Sequence, residues 1–139
     1  MPRESFRHQT AIRLAHTDAA GLLYFPNQFL LAHEAYEEWL KSAGFSIARV
    51  LRDGAFLIPI VHCEADFLAP LQVGDQLVIE LHCESRGTHS FTLGYTFRRG
   101  KEIVGSAKTV HVCVERKSMA KTAPPDELAN ALDAISPVI

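Results

Sequence analysis

The chain reads as an α+β protein, an antiparallel five-stranded sheet wrapped around one long helix, on three observations. One stretch after Pro26 repeats apolar residues at three- and four-residue steps, nearly everything after Gly54 alternates with a period of two, and the helix follows a first strand. Residues 1–139 form one domain in this reading, with a tail from about residue 117. A chain of 139 residues that is 47% hydrophobic can bury roughly two-thirds of its unfolded surface in a single core.

The loose alternation of "SFRHQTAIRLA" (5–15) predicts the first strand. From Pro26 the spacing of Phe29, Ala32 or His33, Tyr36, Trp39 or Leu40 and Ala43 predicts an amphipathic helix, with Gln28, Glu34, Glu38 and Lys41 turned away from its apolar face. Pro26 suits the first turn because no N–H is needed there, and Gly44 suits the position just past the end. "FSIARVLRDG" adds a short helical turn ending at Gly54.

Beyond Gly54, "FLIPIVHCEADFLA" (56–69) reads as a long strand with Pro59 near its start, and "QLVIELHCES" (76–85) follows a "VGD" turn. "SFTLGYTFR" (90–98) sets Phe91, Leu93, Tyr95 and Phe97 against Thr92, Gly94 and Thr96, a core stripe. "RRGK" makes a hairpin turn into the last strand, "EIVGSAKTVHVCVE" (102–115), so the four strands are expected to run as an antiparallel meander. "KTAPPDELANALDAI" reads as a loop and a terminal helix begun at its prolines. So small a sheet leaves an exposed edge and a half-covered helix, which a homo-oligomer completes.

Composition removes several function classes. Fourteen basic and 16 acidic residues are interleaved for a net charge of −2, so no global field recruits nucleic acid or an anionic membrane, and phosphate recognition must be local. The start "MPRESFRHQT" is polar, and no apolar run approaches the length of a membrane span, which points to the cytoplasm. Cys63, Cys83 and Cys113 suit reduced, buried thiols rather than a disulfide framework. Both "HC" pairs, at 62–63 and 82–83, would point to opposite faces of a strand, and His111 with Cys113 offers only two ligands, so no metal site is expected.

The chemistry-bearing candidate is Asp18, alone in "AHTDAAGLLYFPNQF" (15–29). A turn residue or cap is the simplest account, yet Asp18 stands eight residues before Pro26, too far to cap the helix directly. The intervening "AAGLLYF" brings a glycine where backbone can approach a ligand and aromatics that can line an apolar slot. Helix-start amides near Phe25 and Asn27 lack intrahelical acceptors and suit a carbonyl oxygen. An acid facing such donors fits acyl transfer. His33 reads as structural, Glu34 and Glu38 as a solvated like-charge pair, and no Ser or Cys lies in a GxSxG sequence. The basic cluster Arg98, Arg99 and Lys101, with Lys108, Arg116 and Lys117, is either solvated charge or a nucleotide phosphate site.

"HTDAAGLLYFPNQF", "FLIPIVHCEADFLAPLQVGDQL" and "AKTVHVCV" resemble the hotdog-fold thioesterases of the 4-hydroxybenzoyl-CoA thioesterase family, over roughly residues 6–115. The most specific match is Asp18, Gly21, Tyr24, Phe25, Pro26 and Asn27; "DFLAP" with "GD" soon after is a second. "YF" after the glycine and "HEAYEEW" on the helix look most like the branch that hydrolyses 1,4-dihydroxy-2-naphthoyl-CoA in quinone synthesis. The Tol-Pal-associated relatives carry a histidine where this chain has Phe25, so no catalytic histidine is assigned there.

The resemblance implies a hotdog fold, a homotetramer built as a dimer of dimers with sites at the dimer interface, an acyl-CoA substrate and no cofactor. It also implies roles: Asp18 as nucleophile or general base, the Phe25 N–H polarising the thioester carbonyl, and Gly21, Tyr24 and Asn27 shaping the acyl pocket. CoA phosphates need cations near the mouth, for which Arg86, Arg98 and Arg99 are the candidates from composition. Alternatives carried forward are a short-chain or 4-hydroxybenzoyl-type thioesterase and a non-catalytic acyl-CoA binding module.

Overall fold

Residues 5–137 are described by the computed structural model; the polar start, residues 1–4, and the last two residues of the tail lie outside the described residues. The chain forms strand β1 (Phe6–Ala11), a 3-10 turn (Leu14–His16), helices α1 (Asn27–Ser42) and α2 (Ile47–Asp53), strands β2 (Phe56–Leu57), β3 (Ile60–Phe67), β4 (Gln76–Arg86), β5 (Ser90–Arg99), β6 (Glu102–Val112) and β7 (Val114–Glu115), and helix α3 (Asp126–Ala134). Five strands make one antiparallel sheet in the order β1-β4-β5-β6-β3, and β2 pairs with β7 apart from it. The sheet packs against α1, as the α+β reading and the hotdog resemblance require.

The core lies between them. The inward faces of β4 (Leu77, Ile79, Leu81) and β5 (Phe91, Leu93, Tyr95, Phe97) are buried, and they meet Leu31, Ala32, Ala35, Tyr36, Trp39 and Leu40 of α1. Burying each large apolar side chain is worth about 1.5–3 kcal/mol, so this seam is the main force holding helix to sheet. The helix ends in a double closure, with the Gly44 N–H on the Lys41 carbonyl and the Phe45 N–H on the Leu40 carbonyl. Leu128 and Leu132 of α3 are fully buried against the same core, and the Cys83 N–H donates to the Ile135 carbonyl.

Four expectations change. The first strand stops at Ala11, because the Ile12 N–H turns to the Asp75 carbonyl and the Arg13 N–H to His16 Nδ1. The 56–69 strand breaks at Ile58 and Pro59, proline having no N–H for the ladder, and the 102–115 strand breaks at Cys113, whose N–H goes to the His89 carbonyl. The four-strand meander is not formed: β4, β5 and β6 run consecutively, but β3 pairs with β6 on the far edge. Residues 68–75 therefore cross the end of the sheet, tied by the Leu68 N–H to the Val104 carbonyl and by the Gly74 N–H to the Ile12 carbonyl.

The cysteines divide. Cys83 and Cys113 are buried, with the Cys113 thiol pushed up to about 11 by desolvation, but Cys63 is exposed on β3. That follows from the edge: every residue of β3 except Ala65 is exposed, including Ile60, Val61 and Phe67. Among the described residues no helix is long and apolar enough to cross a membrane.

Candidate active site

Asp18 sits at the tip of a miniature hairpin. Thr17 and Leu23 bridge at its base, the Asp18 N–H donates to the Leu22 carbonyl at 2.8 Å, and the Gly21 N–H returns to the Asp18 carbonyl at 3.1 Å. Gly21 has φ +78°, a conformation that a side chain at this turn would strain by roughly 1 kcal/mol. The returning limb is held to the 68–75 crossing by the Leu22–Gln72 bridge and by the Leu23 N–H on the Leu71 carbonyl. Thus the loop's position depends on the crossing that β3 forces.

The Asp18 carboxylate takes the turn role weighed from sequence with one oxygen and leaves the other free. Asp18 Oδ1 accepts the Ala20 N–H at 2.8 Å and the Leu22 N–H at 3.3 Å, an Asx-turn that fixes the side chain's direction. Oδ2 has no hydrogen-bond partner among the described residues, and Asp18 is exposed on a cavity of about 360 Å³. The cavity's other walls include Leu22, Phe25, Gln28, Phe67 and Leu71.

The amides at the start of α1 divide too. The Asn27 N–H is taken by the Tyr24 carbonyl at 2.9 Å, so the expectation that it is free is corrected. Pro26 has no N–H, and the Tyr24 N–H goes to the His16 carbonyl. That leaves the Phe25 N–H without an acceptor among the described residues, on a residue that lines the cavity with Asp18. The partial positive end of a 16-residue helix stands behind it.

Phe25 and Phe67 line the cavity, whereas Tyr24 lies outside its lining and packs on Phe25. Phe25 is 62% exposed, edge-on to Tyr24 at 5.3 Å and to Phe67 at 6.4 Å between ring centres. The Asn27 side chain faces inward: its Nδ2 donates to the His16 carbonyl at 2.8 Å, tying the segment before Asp18 to the helix. Buried His16 extends this brace by accepting the Arg13 N–H.

Gln28 was missed. The helical periodicity turned it outward, yet it is 1% exposed, with Nε2 donating to the Asp66 carbonyl of β3 at 3.0 Å and the Ser106 carbonyl of β6 at 2.9 Å. The buried stripe of α1 begins there, one position before the expected Phe29. Gly105, where a β-carbon would come within 3.0 Å of the Gln28 amide, is the only sequence trace of it. Phe67, Leu68 and Pro70 also join the cavity; they fall in "DFLAP", a recognisable motif without an assigned role.

The arginines are already engaged. Arg86 pairs with Asp133 and donates to the Ala129 carbonyl, and Arg98 pairs with Glu80. Arg99 meets Asp75 at 2.8 Å and Glu102 at 2.7 Å and donates to the Pro70 carbonyl at 3.1 Å, which ties it to a cavity-lining residue. Asp75 is held below the ordinary carboxylate range by the Gln72 N–H and secondarily by Arg99. Lys108 pairs with Glu84, and Arg116 donates to the Val50 and Gly54 carbonyls. His33 is exposed and pairs with Glu37, while Glu34 lies 4.0 Å from His8. Among the described residues no cluster of His, Cys, Asp and Glu could hold a metal.

The chain is similar to known proteins over most of its length. A profile described as the thioesterase-like superfamily matches residues 12–132. A 1,4-dihydroxy-2-naphthoyl-CoA hydrolase of Nostoc punctiforme is 36% identical over 129 residues, 93% of this chain and 87% of that one. Another of the same name, from a Synechocystis strain, is 39% identical over 119 residues, covering 81% and 86%. The crystal structure of a 1,4-dihydroxy-2-naphthoyl-CoA thioesterase from Synechocystis superposes with a TM-score of 0.87 at 32% identity, covering 93% of this chain and 96% of that one. With a family profile matching residues 12–132 and relatives 36% and 39% identical over most of its length, the chain belongs to the thioesterase-like superfamily.

Proposed function

We propose that this protein hydrolyses an aromatic acyl-CoA, with 1,4-dihydroxy-2-naphthoyl-CoA, named for its relatives, as the favoured substrate. One observation carries the reading: Asp18, with an uncommitted carboxylate oxygen, and Phe25, with an uncommitted N–H, line the same cavity. A thioester carbonyl placed between them accepts from the Phe25 N–H, which opposes the negative charge gathering on oxygen in the transition state. Asp18 then acts in one of two ways. As nucleophile it forms an acyl–carboxylate anhydride and expels CoA thiolate, and water later cleaves the anhydride; as general base it takes a proton from the water that attacks the carbonyl carbon.

The remaining residues have supporting parts in this scheme. Gly21 lets the turn carry Asp18 close to the acyl group, Phe25 and Phe67 wall the aromatic side with Tyr24 packed on Phe25, and Asn27 holds the loop to the helix. Of the three arginines offered to CoA phosphates, Arg99 stands nearest the cavity through its bond to Pro70, and each of the three would have to leave a carboxylate, Arg99 from Asp75 and Glu102, Arg86 from Asp133 and Arg98 from Glu80. The leaving group is a stable thiolate, so the scheme calls for no cofactor.

The exposed edge supports the oligomer. β3 offers a free edge bearing Ile60, Val61 and Phe67, and pairing it with a second copy continues the sheet and removes that edge. An antiparallel pair sets the Ile60 end of one strand near the Phe67 end of the other, so a second chain closes the cavity in which Phe67 takes part. Two such dimers make the homotetramer.

Steady-state CoA release from a panel of aromatic and aliphatic thioesters tests the activity. Fastest turnover on hydroxylated aromatic acyl groups is expected, and no turnover of any member overturns the proposal. Calorimetric titration alongside would expose a binding module, through saturable binding without hydrolysis.

A further inference from the structure

We infer that Gln28 Oε1 is an acceptor subsite of the Asp18 cavity and that it takes a hydroxyl carried by the aromatic ring of the acyl group. The orientation of the amide is settled by its partners. Both are backbone carbonyls, of Asp66 and Ser106, at 3.0 and 2.9 Å, and a carbonyl accepts only from the NH₂ end. Two donors thus fix Nε2 between β3 and β6, and Oε1 is left without a donor among the described residues.

That oxygen is not sealed in the core. Gln28 is 1% exposed, yet among the described residues the enclosed, unpartnered side-chain polar atoms reduce to His111 Nδ1. Gln28 lines the cavity together with Asp18, Phe25 and Phe67, and in this proposal its oxygen opens there. A buried amide oxygen without a partner favours any ligand that brings it a donor, and rejects a ligand that buries it dry.

The chemistry of that donor is constrained by its neighbours. A carboxylate or carbonyl on the ligand has nothing to give, and the thioester carbonyl is already claimed by the Phe25 N–H in the proposed reaction. Leu22, Phe25, Phe67 and Leu71 make the rest of the wall apolar and aromatic. A phenolic hydroxyl on a ring held among those side chains supplies an O–H where an unsubstituted ring supplies none. The substrate for which those relatives are named, 1,4-dihydroxy-2-naphthoyl-CoA, has such hydroxyls, one of them on the ring carbon beside the thioester. A site built around an acceptor discriminates most strongly against the analogue that lacks the hydroxyl.

The subsite rests on the aromatic acyl-CoA reading, and one paired experiment separates the two. The wild-type protein is given 1-hydroxy-2-naphthoyl-CoA and 2-naphthoyl-CoA, together with their non-hydrolysable ketone analogues in calorimetric titration. At least about tenfold higher kcat/KM for the hydroxylated ester, carried mainly by KM, and a matching affinity difference between the analogues are expected. Gln28→Met removes the acceptor and its hydrogen bonds, so both esters fall to a common rate and the preference collapses; a purely structural residue would lower both and leave their ratio intact. Equal affinity of the two analogues for the wild-type protein overturns the subsite without needing any variant. Absence of turnover with a retained affinity difference would leave the subsite standing and sink the hydrolase.

Discussion

Gln28 and Gly105 share one small volume: a β-carbon on Gly105 would lie 3.0 Å from both Nε2 and Oε1 of the Gln28 amide. Glycine on β6 is what allows a helix side chain to lie against the sheet and join its two outermost strands on that side. Gly105→Ala is therefore expected to push the amide off the Asp66 and Ser106 carbonyls and lower stability by about 1–3 kcal/mol, as overpacking does. Denaturant titration checks it, and an unchanged midpoint would show that the amide can yield freely.

Asp18→Asn separates the carboxylate's two tasks. The asparagine oxygen can still accept the Ala20 and Leu22 N–H groups, so the loop is expected to keep its shape, while negative charge and basicity vanish. A fall in kcat of at least about a hundredfold follows for either nucleophile or base. Wild-type turnover in a variant of unchanged circular dichroism would remove Asp18 from the chemistry.

His111 predicts a pH dependence of folding. It is fully buried on β6, stacked on Phe91 at 4.9 Å between ring centres, and its Nε2 lies 2.7 Å from the Thr109 hydroxyl, which meets the Tyr95 hydroxyl at 2.9 Å. Desolvation, aided by nearby His33, pushes it down to about 3 from an ordinary 6.5. The unfolded chain then takes up a proton below pH 6.5 that the folded chain refuses until about pH 3. Stability from this group is complete above pH 6.5 and is lost as pH falls toward 3, by about 2 kcal/mol at pH 5. Urea midpoints between pH 7.5 and 5 read the slope, and His111→Gln should flatten it.

Val61 tests the strand edge. It is 61% exposed on β3, and a lysine there would place charge on the edge that the proposed dimer covers. Val61→Lys is expected to lower the assembly's mass in light scattering and to cut turnover, since a lone chain leaves the Phe67 side of the cavity open. Retained oligomers would mean that the subunits meet elsewhere.

Much of this was legible in local pattern. Period two marked Phe91, Leu93, Tyr95 and Phe97 as core, period 3.6 marked α1, and the spacing of Asp18, Gly21 and Tyr24 to Asn27 marked the loop and helix start of the candidate site. These features depend on neighbours a few residues apart, so the order of side chains is enough to state them. Pairing across long separations is different. Alternation looks alike in a strand that joins β4 and in one that joins β6, so β3 on the far edge, the crossing at 68–75 and the exposure of Cys63 were out of reach. For the same reason a polar residue at a helix start reads as solvated until two distant carbonyls, of Asp66 and Ser106, are found waiting for its amide. Local periodicity settled which residues face inward along each element; which elements meet, and hence which polar groups find partners and which stay free for a ligand, was decided by packing alone.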